Sequence, residues 1–331
     1  MDFQLSDDQR ALRSGMRDLL GAVFDRDRMR AAVERGGAVD RGLWRELGAA
    51  GFFALRLPEE AGGVGLGLPE AVLLFEEAGR ALLPGPLVAT HLAAGLVEGA
   101  AEGEAVVTVA EGGLPVAHLG GADAVLAGSG ALTGEALRAF AAEARPVRSM
   151  DPLTPLHEVE GREPVTEAYP GALRCEGALL TAAEQLGSAT RTTETAVQHA
   201  RAREQFGTPI GSFQAVKHLC ADMLARTEPA RGAVYAAAVT GDPVEVAAAK
   251  LLADEAAVRN ARDCLQIHGG MGFTWEADVH LHLKRAWLRA ARWLTAAEAE
   301  EVLAAALGPA GPLSGGSAAH GRRRSEVEGR G

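Results

Sequence analysis

Two segments in the second half of the chain combine polar and glycine residues in a way that suits a bound ligand. In the first segment, Gly207 and Pro209 end a long helical stretch, so that Arg203 lies in its last turn and Gln214 in the first turn of the next helix. Both side chains can then converge on one point beside the helical hairpin. A guanidinium paired with an amide suits a pyrophosphate or a ring carbonyl. An arginine at this place is also an ordinary partner of the helix dipole.

The second segment, Gln266 to Glu276, has the sequence QIHGGMGFTWE and follows a predicted helix. Two adjacent glycines alone would indicate only a helix C-cap. The longer combination is more specific, because glycines lacking Cβ atoms let a planar or phosphate-bearing ligand lie against backbone N–H groups. Gln266 would add directional hydrogen bonds. The segment therefore predicts a binding site that also includes Ile267, His268, Gly269 and Gly270.

Other residue patterns point away from chemistry. The glycine-rich run from Gly62 lacks the GxGxxG spacing of a dinucleotide fingerprint and predicts a structural turn. His280 and His282 are two residues apart, so on a helix they point to different faces and do not predict a metal site. The three cysteines form no CxxC pair, which indicates neither a zinc site nor a disulfide framework.

Composition limits the class of protein. The chain has 331 residues, with 33 Lys and Arg against 44 Asp and Glu, a formal net charge of −11, and 47% hydrophobic residues. This length and apolar content predict two or three domains with a large core. The acidic balance disfavours nucleic-acid and membrane-surface partners. With no signal-like N-terminus and with Ala81 to Val97 broken by prolines and a histidine, the sequence predicts a cytoplasmic protein that does not cross a membrane.

The elements that position the two segments follow from periodicity. Residues 1–100 are predicted to form a helical domain, starting with a capping box from Ser6 to Gln9. Short β-type runs among Gly and Pro predict a small β domain over residues 101–172, with helix also compatible around Glu135 to Glu143. The predicted fold class is therefore mainly α with a small β domain.

A helical bundle is predicted over residues 173–307, and a disordered tail over residues 308–331. The long helices expected are Glu176 to Arg203, Ser212 to Val239 with a break at Pro229, and Val244 to His268. The charged run from Lys284 to Arg292 is expected to form a solvated or interface face.

The two segments, together with the loop LPEEAGG from Leu57 to Gly63, resemble the acyl-CoA dehydrogenase family in their order along the chain. The resemblance implies an N-terminal helical domain, a middle β domain and a C-terminal four-helix bundle, assembled as dimers or tetramers with FAD at subunit interfaces. It implies an acyl-CoA substrate that undergoes α,β-desaturation. It also implies FAD contacts, in most members with a neighbouring subunit's FAD, from Arg203, Gln214, Gln266, Ile267, His268, Gly269 and Gly270.

The sequence departs from the family in two places. The family's Thr-Glu-x-x-x-Gly-Ser-Asp signature is missing from the region Val107 to Pro115, and the β domain is shortened. The two family positions for the catalytic glutamate fall on Trp293 and Gly177. Glu176 is a neighbour of the second position, but a slip of one residue on a helix rotates a side chain by about 100°. No residue is therefore assigned as catalytic, and no metal is expected.

These departures resemble the shortened subunit of heteromeric acyl-CoA dehydrogenases, some of which act on steroid side-chain CoA thioesters. By this resemblance a full-length partner subunit supplies the catalytic base and the rest of the flavin site. Two alternatives stay open from the sequence. The first alternative is a self-sufficient homo-oligomeric dehydrogenase, and the second is a non-enzymatic helical scaffold that no longer binds flavin.

Overall fold

The computed structural model describes residues 4–128, 130–159 and 171–308. The described structure is mainly helical, with short strands between two helical regions. The helices are α1 (Asp7–Val23), α2 (Arg26–Glu34), α3 (Arg41–Ala49), α4 (Leu68–Arg80), α5 (Leu87–Leu92), α6 (Gly134–Ala142), α7 (Gly171–Ala202), α8 (Gln214–Thr240), α9 (Pro243–His268), α10 (Val279–Ala290) and α11 (Ala296–Ala306). The strands are β1 (Val107–Val109), β2 (Val116–Ala117), β3 (Ala124–Ala127), β4 (Gly130–Leu132), β5 (Ala144–Val147), β6 (Leu156–Val159), β7 (Glu204–Gln205) and β8 (Thr208–Pro209).

The first helical region is organised around α4, whose central residues from Ala71 to Gly79 are all buried between α1 and α7. Helix α1 starts where the sequence predicts it. The Ser6 hydroxyl accepts the Gln9 N–H at 3.1 Å, and the Gln9 side-chain oxygen accepts the Ser6 N–H at 3.1 Å, which completes the capping box.

The strands between the helical regions form two three-stranded sheets. In one sheet β3 is central, parallel to β1 and antiparallel to β4, and in the other β6 lies between β2 and β5. The Thr108 hydroxyl on β1 donates to the Ala117 carbonyl on β2 and so links the sheets. Helix α6 falls in the region where the sequence was compatible with a helix. A mainly α fold with a small β region is therefore confirmed.

Helix α8 runs antiparallel to α7 and α9, and these three helices pack with α10 and α11 as a bundle whose interior is rich in alanine. The predicted break at Pro229 is wrong, because α8 continues without interruption from Gln214 to Thr240. Ala230 and Val234, just after the proline, are fully buried in the bundle. Packing of this face outweighs the backbone hydrogen bond that proline removes.

The expectation that the run from Lys284 to Arg292 forms a solvated or interface face is also wrong for two of its arginines. Arg285 and Arg289 on α10 are buried. Each is paired with a carboxylate from another part of the chain, Asp151 for Arg285 and Glu184 for Arg289. A single sequence does not show that partners so distant along the chain meet, and buried guanidinium groups need such partners.

Two sequence predictions fall mainly on residues outside the described ranges. These are the division between the middle and C-terminal regions near residue 172 and the tail over residues 308–331. Among the described helices, none combines the length and apolarity needed to cross a bilayer. Within the same residues, no group of three or more His, Cys, Asp or Glu side chains has an arrangement that could hold a metal ion.

Candidate functional site

The two segments singled out by the sequence lie at the same end of the bundle. Helices α7 and α9 end there, and α8 and α10 begin there. An apolar cluster below the surface joins these helix ends, and Ile267 belongs to it with only 7% of its surface exposed. The Ile267 side chain is thus part of the core, and its backbone is the part that remains for a ligand. The other members of the cluster are Ala196, Ala200, Met223, Ala261, Cys264, Leu265, Val279 and Leu283.

A pair of stacked histidines connects the first segment to the second. The rings of His199 on α7 and His268 on α9 lie 4.0 Å apart with an angle of 21° between their planes. His268 Nδ1 is 2.8 Å from the Cys264 carbonyl oxygen. A carbonyl can only accept, so His268 Nδ1 is the donor in this contact. Burial, with His268 and Arg203 nearby, lowers the pKa of His199.

The polar side chains of the two segments are exposed and available. Arg203, Gln214 and Gln266 are all exposed, and none makes a side-chain hydrogen bond or ion pair with another described residue. Gly269 has a φ of +60°, which favours glycine, and a Cβ atom at Gly269 or Gly270 would meet nothing within 4 Å. This end of the bundle therefore offers free donors beside open backbone.

Large apolar side chains surround these donors. Phe206 is 93% exposed, Phe273 78% and Trp275 60%. The rings of Phe206 and Phe213 meet edge to face at 6.2 Å, and Lys284 Nζ lies 4.5 Å from the centre of the Trp275 ring. A concentration of exposed aromatic groups of this kind marks an interaction surface. We call the surface formed by residues 203–214 and 266–276 the bundle end.

A second place of interest is the corner between α10 and α11, where the two family positions for the catalytic glutamate meet. Gly177 on α7 is buried beneath the indole of Trp293. A Cβ atom on Gly177 would lie 2.7 Å from Cε2 of that ring and closer still to Cδ2 and Cε3. The indole therefore fills the space that any side chain at residue 177 would need. We call Gly177 and Trp293 the packed corner.

Trp293 is held in an unusual backbone conformation. Its φ is +64°, in the left-handed region that a bulky residue rarely adopts and that costs about 1–2 kcal/mol. Glu111 accepts the Trp293 N–H, and Arg174 Nε donates to the Trp293 carbonyl at 2.6 Å. Glu111 also pairs with Arg292 at 3.0 Å. Groups from two distant parts of the chain thus fix this conformation.

Glu176, the carboxylate nearest to the second family position, is already engaged. Its two carboxylate oxygens accept from the Arg56 guanidinium at 2.6 and 3.2 Å. The side chain is partly buried beside Arg56. A bidentate pair of this kind engages both carboxylate oxygens in charge-assisted hydrogen bonds.

Sequence reasoning missed the roles of Glu111 and Arg174 at the packed corner. Neither residue belongs to a motif, and both act on backbone atoms of Trp293. The signal that was available is the pair of residue types itself, since a glycine and a tryptophan stand at the two positions where the family has a choice of glutamate. Complementary sizes at two such positions indicate direct packing.

Family models and relatives agree with this architecture. The model for the acyl-CoA dehydrogenase N-terminal domain matches residues 6–102, and the model for the C-terminal domain matches residues 176–306. The chain belongs to the acyl-CoA dehydrogenase family, whose cofactor is FAD.

Several acyl-CoA dehydrogenases are similar to this chain over most of its length. The chain is 37% identical to acyl-CoA dehydrogenase IpdE2 of Mycobacterium tuberculosis over 290 residues, which cover 83% of this chain and 90% of the relative. It is 35% identical to IpdE2 of Mycolicibacterium smegmatis, over 85% of this chain and 93% of the relative. Acyl-CoA dehydrogenase FadE34 of Mycobacterium tuberculosis is 38% identical over 74% of this chain and 39% of its own length.

Two of the similar solved structures have paired chain names. The ChsE4-ChsE5 complex of Mycobacterium tuberculosis matches with a TM-score of 0.77 and 26% identity, over 93% of this chain and 99% of the other. A steroid acyl-CoA dehydrogenase, Tcur3481-Tcur3483 in a G363A variant, matches with a TM-score of 0.77 and 25% identity, over 91% and 98%.

The residues at the bundle end fit FAD in their chemistry. Arg203 offers a free guanidinium for a pyrophosphate, and Gln214 and Gln266 offer amides for ring carbonyls or hydroxyls. The open space above Gly269 and Gly270 is where a Cβ atom would otherwise stand between a ligand and the backbone. The fit covers only part of a dinucleotide, because these groups lie on one exposed face.

Proposed function

We propose that the chain is a subunit of a heteromeric acyl-CoA dehydrogenase and completes the flavin site of a full-length catalytic partner chain. In this assembly it takes part in FAD-dependent α,β-desaturation of an acyl-CoA thioester without supplying the catalytic base. The residues proposed to touch the cofactor are Arg203, Gln214, Gln266, Ile267, His268, Gly269 and Gly270.

The observation that carries the proposal is the contact between Gly177 and Trp293. Desaturation needs a carboxylate that removes the α-proton of the thioester. At the packed corner neither family position offers one, because residue 177 has no side chain and an indole takes no proton. The indole also fills the space above Gly177. The space that a catalytic carboxylate would need is therefore occupied by the Trp293 ring and is not open to a substrate.

The bundle end supports the proposed contribution of this chain to FAD binding. When FAD is bound, its isoalloxazine ring accepts the hydride that leaves the β-carbon. The chain's own contribution is to bind and orient that cofactor through the Arg203 guanidinium, the Gln214 and Gln266 amides and the backbone at Gly269 and Gly270. The exposed rings of Phe206, Phe273 and Trp275 would be covered by the partner chain, which removes apolar surface from water.

The similar structures support a heteromer and a substrate class. Two of them carry paired chain names, and one is called a steroid acyl-CoA dehydrogenase. We extend both features to this chain as part of the proposal. Its substrate would be the CoA thioester of a steroid-derived acid, and its partner a longer dehydrogenase chain.

The test is the flavin content of a complex co-expressed with a full-length relative from the same source. Arg203→Ala removes a charge-assisted hydrogen bond worth about 1.5–3 kcal/mol, so FAD should dissociate about 10–150-fold more readily. The matched control is Arg259→Ala, which removes an exposed arginine whose ion-pair partner among the described residues is Glu255 on α9. FAD absorbance should fall on dilution of the first variant complex and stay unchanged in the second. Unchanged FAD binding in both variants would instead favour a helical scaffold without a flavin role.

A further inference from the structure

A crevice lies where the end of α1 and the start of α2 meet α4, α7 and α10. It has a volume of about 260 Å³, which is room for about eight water molecules at roughly 30 Å³ each. The residues that line it belong neither to the bundle end nor to the packed corner. The crevice is therefore a separate place, between the first helical region and the bundle.

Part of the crevice wall is apolar. Four side chains that belong to the core also line the crevice, and each has at most 6% of its surface exposed: Leu20, Phe24, Met29 and Leu82. Gly21 on α1 is a further wall residue, and a Cβ atom there would meet nothing within 4 Å. A wall of this kind favours a ligand with a hydrocarbon body, because contact removes apolar surface from water.

The charged side chains of the lining leave an excess of one positive charge. Four arginines stand against three carboxylates, namely Arg17, Arg26, Arg80 and Arg191 against Asp25, Glu77 and Asp278. Glu77 is shared by two of these arginines, Arg17 and Arg80. Arg30 and Glu194, which pair with Asp278 and Arg80 just outside the lining, add one charge of each sign. A ligand with a single negative charge would therefore balance the crevice.

Arg191 on α7 is the lining arginine with spare hydrogen-bonding capacity. Its side chain is 46% exposed, and its ion-pair contact, Glu194, is 4.0 Å away. Glu194 is itself engaged through both carboxylate oxygens by Arg80. Within the described residues the Arg191 side chain makes no hydrogen bond. Its guanidinium is therefore available to a planar anion such as a carboxylate.

His282 on α10 is a second polar group of the lining, close to Arg191. Its Nδ1 lies 2.8 Å from Ser188 Oγ, and Ser188 and Arg191 are three residues apart on one face of α7. His282 Nε2 bonds to no described residue, and it is not among the polar atoms that are closed off from water. When the Ser188 hydroxyl donates to Nδ1, Nε2 carries the proton and can donate to a ligand oxygen.

We propose that this crevice binds an organic monocarboxylate with a compact apolar body, of the size of a carboxylate on a six-membered ring. The carboxylate oxygens accept hydrogen bonds from the Arg191 guanidinium and from His282 Nε2–H. The hydrocarbon ring lies against Leu20, Phe24 and Met29. No covalent bond forms or breaks. Inorganic phosphate fits less well, because it lacks an apolar body and as a dianion exceeds the charge that the lining leaves unbalanced.

The experiment is calorimetric titration of the full chain at pH 7.5 with cyclohexanecarboxylate, and with cyclohexanecarboxamide as the uncharged analogue. We expect saturable binding of the carboxylate at one site per chain. The carboxamide should bind at least about tenfold more weakly, because it forms no charge-assisted hydrogen bond with Arg191. No saturable heat, or equal binding of the two compounds, would overturn the proposal. The chain is titrated without cofactor or partner, so the outcome is independent of the proposed flavin role.

Two glycines of α1 provide a matched pair of variants that locates the bound carboxylate. Gly15 and Gly21 are both exposed, a Cβ atom on either would meet nothing within 4 Å, and of the two only Gly21 lines the crevice. Neither substitution meets neighbouring atoms, so we expect both variants to fold. Gly21→Leu should increase the carboxylate Kd at least about tenfold, because leucine takes up apolar space that the ring needs. Gly15→Leu should leave the Kd unchanged, and equal Kd values for both variants would contradict the proposal.

Two arginines of α7 provide a second pair. Arg191→Gln should increase the Kd by about 10–150-fold, through loss of a charge-assisted hydrogen bond. The matched control is Arg201→Gln, since Arg201 is exposed on the same helix but lines an apolar groove between α7 and α8 instead of the crevice. If Arg201→Gln weakened binding and Arg191→Gln did not, the carboxylate would bind in that groove and the proposal would be wrong.

Discussion

The bundle end and the packed corner differ in whether their polar and glycine residues are exposed or are covered by other parts of the chain. At the bundle end, Arg203 and Gln266 are exposed with free side chains, and the space above Gly270 is open. At the packed corner, the indole of Trp293 covers Gly177. Glu111 and Arg174 both make hydrogen bonds to the backbone of Trp293. Free groups at a surface are prepared for a ligand, whereas paired groups in the interior stabilise the fold. The comparison agrees with the proposal that this chain contacts the cofactor of another chain, because its own two family positions for the base are packed against each other.

The largest effect is expected from a glutamate at the buried glycine. Gly177→Glu would place a charged side chain into the space of the Trp293 ring, which combines overpacking with burial of an unpaired charge. We expect a loss of at least about 3 kcal/mol in the free energy of unfolding, measured by urea denaturation.

Two control variants sharpen this prediction. Gly232→Glu introduces the same side chain into α8 at an exposed glycine with nothing within 4 Å, and Gly270→Ala changes an open glycine at the bundle end. Both should stay within about 0.5–1 kcal/mol of the unaltered chain. If the Gly177→Glu chain were as stable as these controls, the direct packing of Trp293 against Gly177 would be contradicted.

A smaller effect should follow from acid, through histidines buried in the interior. Burial lowers the pKa of both His118 and His282 to about 3, with nearby arginines acting in the same direction. Because the unfolded chain binds these protons near pH 6.5, stability is full above that pH and decreases as the pH falls towards 3. Each histidine should reduce the free energy of unfolding by up to about 1.4 kcal/mol per pH unit below pH 6.

Urea denaturation at pH 7.5, 6 and 5 measures this slope. His282→Leu removes one of the buried histidines with a lowered pKa, so its slope between pH 6 and 5 should be shallower than that of the unaltered chain. A stability that does not change over this range would show that these rings are solvated.

The smallest expected effect separates the two functions of Trp293, packing and backbone strain. Trp293→Ala should cost about 3–5 kcal/mol, because it empties the space over Gly177. Trp293→Gly leaves the same space but adopts a φ of +64° without strain. We therefore expect Trp293→Gly to be more stable than Trp293→Ala by about 1 kcal/mol, measured in parallel thermal unfolding experiments. An alanine variant at least as stable as the glycine variant would show that the backbone is not strained.

Local sequence signals predicted much of the fold. The capping box at Ser6 and Gln9 and the end of α9 at His268 depend on neighbours within a few residues, and both are confirmed. The helix break predicted at Pro229 was wrong, because packing of Ala230 and Val234 against other helices outweighs the tendency of proline to end a helix. The burial of Arg285 could not be predicted, because its partner Asp151 is 134 residues away along the chain.

The candidate site was likewise predicted from sequence only where it depends on residues close together along the chain. Arg203, Gln214 and the segment from Gln266 to Gly270 were identified from residue types at short spacing, and their contacts with FAD stay a prediction. The absence of a carboxylate at residues 177 and 293 was visible in the sequence. That these two residues touch required the structure, since 116 residues separate them.

The central claim is that this chain contributes to a flavin site that a partner chain must complete. The most direct measurement is the visible absorption spectrum of the chain purified alone and after co-expression with a full-length relative, with size-exclusion chromatography of both samples. We expect flavin absorbance only in the larger co-expressed species, as for FAD bound between two different chains. Stoichiometric FAD on the chain alone, together with desaturation of an acyl-CoA, would contradict the claim and indicate a self-sufficient homo-oligomeric dehydrogenase.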